Sequence, residues 1–197
     1  MPVRQQSRWL PLISLILGMA LLQWIGPQAL RYDSRLISEF QLWRLLTGHW
    51  VHANWVHYGL NMFGLLLCQG LTAVHWKHWQ WSVRVLLLSA GVSALIFTLQ
   101  PDLGWYVGFS GVLFGLFVMA AVETLRAQPV MSTVILAVIL LKIIFEQWSS
   151  VNITSSQLID VPVLIDAHLY GVAVAGIILF IRYLTNRLLD SDNTGNS

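Results

Sequence analysis

The chain has 197 residues, 56% of them hydrophobic and 10% charged, with a formal net charge of +2. A soluble domain carries about 25% charged residues, so this composition excludes an ordinary water-soluble globule. The small net charge gives no basic footprint for nucleic acid, and the one cysteine, Cys68, excludes an intramolecular disulfide.

The apolar residues come in long blocks separated by short polar segments, the layout of a polytopic membrane protein. Arg4 and Arg8 precede the first block, Leu10–Ala29. Basic residues before an apolar run also open signal peptides. Trp24, Gly26 and Pro27 make a poor small-residue cleavage site, so the block reads as a first span. A polar loop follows, and the second span covers Val56–Val74. Cys68 lies inside it and reads as a small packed apolar side chain. The third span is Val83–Leu99 and the fourth Ser110–Glu123. The fourth is short against the roughly 20 residues of a full crossing. It is expected to begin below the surface, after a loop that dips inward. Such a loop is tolerated only where protein or water covers its backbone. Val130–Phe145 and Ala167–Tyr183 complete the series. Residues 1–189 read as one membrane domain and 190–197 as a frayed polar tail.

The expected architecture is therefore all-α: a polytopic bundle of six transmembrane helices. An N-terminus inside puts Arg4, Arg8, Lys77, Arg84, Arg126, Arg182 and Arg187 on the cytoplasmic side, against Arg31, Arg35 and Arg44 outside. The excess of inner positive charge predicts cytoplasmic N- and C-termini. Trp9, Trp24, Trp76, Trp79, Trp81 and Trp105 fall near span ends, where interfacial anchors belong.

Three polar clusters carry chemistry. Gly108-Phe109-Ser110-Gly111 sets a serine between glycines where a loop becomes a helix. Glycine permits a tight turn and close backbone approach. The amides of a helix N-terminus are unsatisfied donors suited to a developing oxyanion. The same residues also serve a plain helix contact or an N-cap. Ala167-His168-Leu169-Tyr170-Gly171 puts a histidine at the start of span six. A histidine there can also be merely interfacial. Ala167, Gly171 and Ala175 form a ridge of small residues, and Gly111 and Gly115 a second ridge. Small ridges let membrane helices approach closely. Their packing would bring Ser110 and His168 to one depth, and imidazole can take a hydroxyl proton. His57 and Asn61 share a helix face at i,i+4 and could donate to an oxyanion, or bond two helices together. His57, Ser110 and His168 open spans two, four and six, which all begin at the outer face.

Other residues carry weaker readings. His49, His52 and His57 resemble part of a metal site, but no cysteine or carboxylate pattern completes it. Asp166 is two residues from His168 on one helix, so capping of span six is expected rather than contact with the ring. Lys142 and Glu146 fit an i,i+4 charge pair inside the bilayer, structural or facing substrate. Arg44 would bind lipid headgroups or brace the first loop.

Trp43-Arg44, His57-x-x-x-Asn61, Gly108-x-Ser110-Gly111 and Ala167-His168-x-x-Gly171 occur in an order that resembles the rhomboid intramembrane proteases, over about residues 40 to 180. The resemblance implies Ser110 as nucleophile and His168 as general base. His57, Asn61 and the Ser110 amide would form the oxyanion hole, with Gly108, Gly111 and Gly171 supporting the motif. The catalytic unit it implies is a dyad, with no acidic third member and no cofactor or metal. Ala175 stands where the family often has glycine.

Thr47 to His52, Tyr106 to Gly111, Lys142 to Gln147 and Asp166 to Gly171 are similar to a narrower group, the rhombosortases. That likeness implies single-pass membrane substrates with a glycine-rich C-terminal tail, and a place in the inner membrane of a Gram-negative bacterium with the site toward the periplasm. Two rivals stand beside it. A non-catalytic rhomboid-like client binder usually lacks the serine or histidine present here. A small transporter would show internal repeats, and none is visible.

Overall fold

A computed structural model describes residues 9–72, 74, 76–149 and 164–194. Among the described residues the regular structure is helical apart from two short strands (β1, Tyr32–Asp33; β2, Trp105–Tyr106). In order the helices are α1 (Leu10–Ile25), α2 (Pro27–Leu30), α3 (Ser34–Ser38), α4 (Arg44–Thr47), α5 (Trp55–Thr72), α6 (His78–Leu99), α7 (Ser110–Thr124), α8 (Pro129–Ser149) and α9 (Asp166–Thr194).

Among the described residues, stretches of α6, α8 and α9 are long and apolar enough to cross a membrane: His78–Leu99, Pro129–Trp148 and Asp166–Asp190. α1 and α7 are apolar but shorter. The first apolar block was expected to reach Ala29. It stops at Gly26, which takes φ +112 and is followed by Pro27, so the helix ends and α2 begins. At the other terminus α9 continues to Thr194, beyond Leu189 where a frayed tail was expected.

α7 is the centre of the bundle. It packs against α5, α6, α8 and α9, and Val112, Leu116, Met119, Ala120 and Ala121 are buried along it. A helix apolar and buried over most of its surface is held by packing, not by a solvent face. The surrounding helices turn large apolar side chains outward, among them Leu140, Leu141 and Phe145 on α8 and Ile177, Phe180 and Ile181 on α9. In water that surface would aggregate; against lipid it costs nothing.

The segment between α1 and α5 is folded onto the bundle by polar contacts. Arg44 is buried and donates to Gln41 Oε1 at 2.8 Å and to the Arg31 carbonyl at 2.8 Å. It therefore braces this loop. Asp33 caps α3 by accepting from the Leu36 amide at 3.2 Å. Gln23 of α1 exchanges two hydrogen bonds with the His52 backbone, at 3.0 and 2.7 Å. β1 pairs antiparallel with β2, Tyr32 opposite Tyr106. The Gly108 amide donates to the Gly48 carbonyl at 3.1 Å. The first loop is thus strapped to the segment that leads into α7.

The far end of α7 has its own polar cluster. Glu123 accepts from Arg84 at 2.8 Å and from Trp76 Nε1 at 2.6 Å, and pairs with Arg182. Arg84, counted above among the cytoplasmic charges, is buried in this contact.

Candidate active site

The turn before α7 is shaped by Gly108, whose φ is +126. A Cβ there would lie 2.8 Å from His57 Cε1, so glycine is needed for both conformation and space. Tyr106 Oη donates to the Gly108 carbonyl at 2.7 Å. Burial pushes the Tyr106 phenol up from its ordinary range, which keeps it a donor. Ser110 is the first residue of α7, only partly buried, and its side chain lies against that phenol. The amides of this first turn have no acceptors within the helix.

The two small-residue ridges meet as their spacing predicts. A Cβ on Gly111 would come 2.6 Å from the Ala167 carbonyl oxygen, and one on Gly171 would come 1.8 Å from the Gly111 carbonyl oxygen. A Cβ on Gly115 would lie 2.9 Å from the Gly171 carbonyl. Backbone thus touches backbone at the start of α7 and α9. Ser110 and His168 are the immediate neighbours of the touching pair Gly111 and Ala167.

His168 is 5% exposed. Its ring stacks on Phe114, centroids 4.4 Å apart and planes 10° from parallel. Its Nδ1 lies 2.9 and 3.1 Å from the two carboxylate oxygens of Glu146 on α8. Nε2 is the nitrogen left for another partner. Glu146 also accepts from Lys142 Nζ at 2.7 Å.

His57 stands against Gly108 and near enough to His168 for their charges to interact. Asn54 caps α5 by accepting from the His57 amide at 2.8 Å. Asn61 is buried one turn on, and its amide donates to the His57 carbonyl at 3.0 Å. His57, Ser110 and His168 are therefore gathered at one end of the bundle. Asn61 sits below them with one of its two N–H groups used within α5.

The remaining candidates have partners of their own. His49 Nε2 meets Ser93 Oγ at 2.9 Å, and its ring meets Tyr106 edge-on. His52 packs edge-on against His57 and Tyr58. Among the described residues no three His, Cys, Asp or Glu side chains gather at a common point. Asp166 was expected to cap its own helix. Instead it accepts from Gln100 of α6 at 2.8 Å and Gln147 of α8 at 3.1 Å. Lys142 and Glu146 do pair, as the spacing predicts, but the contact of Glu146 with His168 was not anticipated. The one signal available was a carboxylate near the outer end of an apolar span.

Apolar helices around a buried short helix, with loops strapped across one end, define a polytopic helical membrane protein. A family model described as the rhomboid domain matches residues 39–185. The chain belongs to the rhomboid family, a family of intramembrane serine proteases that act on membrane proteins within the bilayer. No curated protein and no solved structure gives a match.

Proposed function

We propose that the chain is a six-crossing intramembrane serine endopeptidase with Ser110 as nucleophile and His168 as base. The observation that carries this reading is the backbone contact of Gly111 with Ala167, which sets the two side chains at one depth on adjoining helices. His168 takes the Ser110 hydroxyl proton as Oγ attacks the scissile carbonyl. The His57 ring, the Asn61 amide and the Ser110 N–H receive the negative charge on the carbonyl oxygen. His168 passes its proton to the leaving amine, and the acyl-enzyme remains. Water then gives its proton to His168 and attacks the ester, releasing the acid and restoring Ser110. Nucleophile and base both come from the chain, so these steps call on no cofactor.

The finer reading is a rhombosortase, in the inner membrane of a Gram-negative cell, with both termini cytoplasmic and the site toward the periplasm. Its substrates are single-pass proteins with a glycine-rich segment beside a C-terminal apolar helix. Glycine lowers helix stability by about 1 kcal/mol per residue, so such a segment frays readily and exposes its carbonyls.

The test uses purified full-length protein in proteoliposomes with a model substrate bearing a Gly-Gly segment, one apolar helix and a basic end. Mass spectrometry should find a single new C-terminus beside the glycines, absent with Ser110→Ala and with His168→Ala. Cleavage undiminished in Ser110→Ala would reject the protease reading. Stable binding of the substrate without cleavage by the unmodified chain would favour the non-catalytic client binder.

A further inference from the structure

We propose that Glu146 is a positioning residue for His168, so that the reactive unit is Ser110, His168 and a carboxylate delivered from a third helix. This rests on the protease reading above. Both carboxylate oxygens lie on the Nδ1 side of the ring, at 2.9 and 3.1 Å. The pair is shielded, with 6% of the His168 side chain and 12% of the Glu146 side chain exposed. A carboxylate can only accept from an imidazole nitrogen that carries hydrogen. Nδ1 is therefore the protonated nitrogen, and the lone pair of the neutral ring is on Nε2, the tautomer a base needs.

Two further contacts make the arrangement rigid. Phe114, one turn into α7 from Ser110, stacks on the ring and fixes its plane. Lys142 bonds Glu146 Oε1 at 2.7 Å and favours the charged carboxylate. When His168 takes the serine proton, an imidazolium forms in a nearly dry site. An adjacent negative charge offsets most of the cost of burying it. Among the described residues, the charged and titratable groups around His168 are Glu146 from α8, with Lys142 behind it, and His57 from α5. Asp166, on its own helix, is engaged by Gln100 and Gln147. Glu146 alone among them contacts the ring nitrogen.

A purely architectural role, tying α8 to α9, is the competing explanation. It predicts lower thermal stability with unchanged chemistry in whatever fraction stays folded. The distinguishing experiment measures the pH dependence of Ser110 phosphonylation by an alkyl fluorophosphonate. In that step Oγ bonds to phosphorus, fluoride leaves and His168 takes the proton, with no substrate binding involved. The kcat and KM for the model substrate are measured in parallel. Glu146→Gln should lower kcat about 100-fold, short of the roughly 10⁴-fold seen on losing the carboxylate of a soluble serine protease. KM should stay within about two-fold, since the carboxylate lies behind the base. The acid limb of the labelling profile should move to lower pH, because the protonated base has lost its counter-charge.

Lys142→Met, at a half-exposed position, is the second variant. It frees Glu146 to act on His168 alone, so the same limb should move to higher pH. Wild-type kcat and an unmoved limb in Glu146→Gln overturn the assignment. If that variant does not fold, an unmoved limb in Lys142→Met overturns it instead. Ser110→Ala and His168→Ala accompany both. Labelling of Ser110→Ala at the wild-type rate sinks the protease reading itself, whatever Glu146 does.

Discussion

Gly171→Ala tests the contact on which the site depends. The new methyl carbon would lie 1.8 Å from the Gly111 carbonyl oxygen. An ordinary carbon–oxygen contact is about 3.3 Å, so α7 and α9 must part by about 1.5 Å at that level. The obstacle is main chain in the middle of a helix, with no rotamer to give way. Overpacking of this kind costs about 1–3 kcal/mol in stability. The catalytic cost is larger, because a misplacement of about 1 Å between reacting groups costs about 100-fold in rate. Gly171→Ala should therefore lose at least about 100-fold in kcat while remaining folded at low temperature. Gly176→Ala on the same helix is the control, since a Cβ there meets nothing within 4 Å. It should keep wild-type turnover and melt no lower, because alanine favours the helix by about 1 kcal/mol. The assay is cleavage of the model substrate in proteoliposomes, with thermal melting of the same samples. Wild-type turnover in Gly171→Ala, or equal losses in the two variants, would refute the argument from close packing.

Other perturbations probe the supports of the site. Gly108→Ala, at φ +126 and against the His57 ring, should abolish fluorophosphonate labelling of Ser110 with little loss of helix content by circular dichroism. Glu123→Gln removes the charge shared by Arg84 and Arg182 at the opposite end of α7. It should cost about 1.5–3 kcal/mol, read as a lower melting temperature with kcat unchanged below it. Burial holds His49 down at about 4 and His52 at about 3, against an ordinary 6.5. The unfolded chain then takes up protons below pH 6.5 that the folded loop refuses, so stability should fall by about 1.4 kcal/mol per pH unit per ring as pH drops from 6.5 toward 4. Melting temperatures across that range, falling less steeply in a His49→Gln and His52→Gln double variant that still folds, check it.

The gathering of His57, Ser110 and His168 was legible because two simple periodicities determine it. Alternate spans begin at the same face, and small residues four apart mark the side on which two helices touch. The helix limits were less legible. Hydropathy located α8 only as far as Phe145, whereas the helix runs on through Glu146 and Gln147 to Ser149. Glu146 and Gln147 bond His168 and Asp166 of α9, so the helix continues where the hydropathy ends. The short helices of the first loop have no periodicity to read. Their backbone is fixed by distant donors, as when Arg44 reaches the Arg31 carbonyl. The partner of His168 was hidden for the same reason. Glu146 precedes it by 22 residues on a different helix, and no local rule relates the two.

The length of α7 ties the two polar clusters to one function. Its 15 residues span about 22 Å, against a hydrocarbon thickness of about 30 Å. Glu123, Arg84 and Arg182 are costly inside hydrocarbon and belong at an interface, as does Trp76. With that end anchored, the helix stops about 8 Å short of the other surface. On the proposed reading, helix length alone would then put Ser110 below the membrane boundary. The first loop strapped across that end buries Gly48, His49, His52 and Tyr106, so protein covers the segment that leads into α7. Peptide hydrolysis inside a membrane needs a reacting serine deep enough to meet a transmembrane substrate. On the protease reading proposed above, one short helix, pinned at its far end by Glu123, would meet that condition.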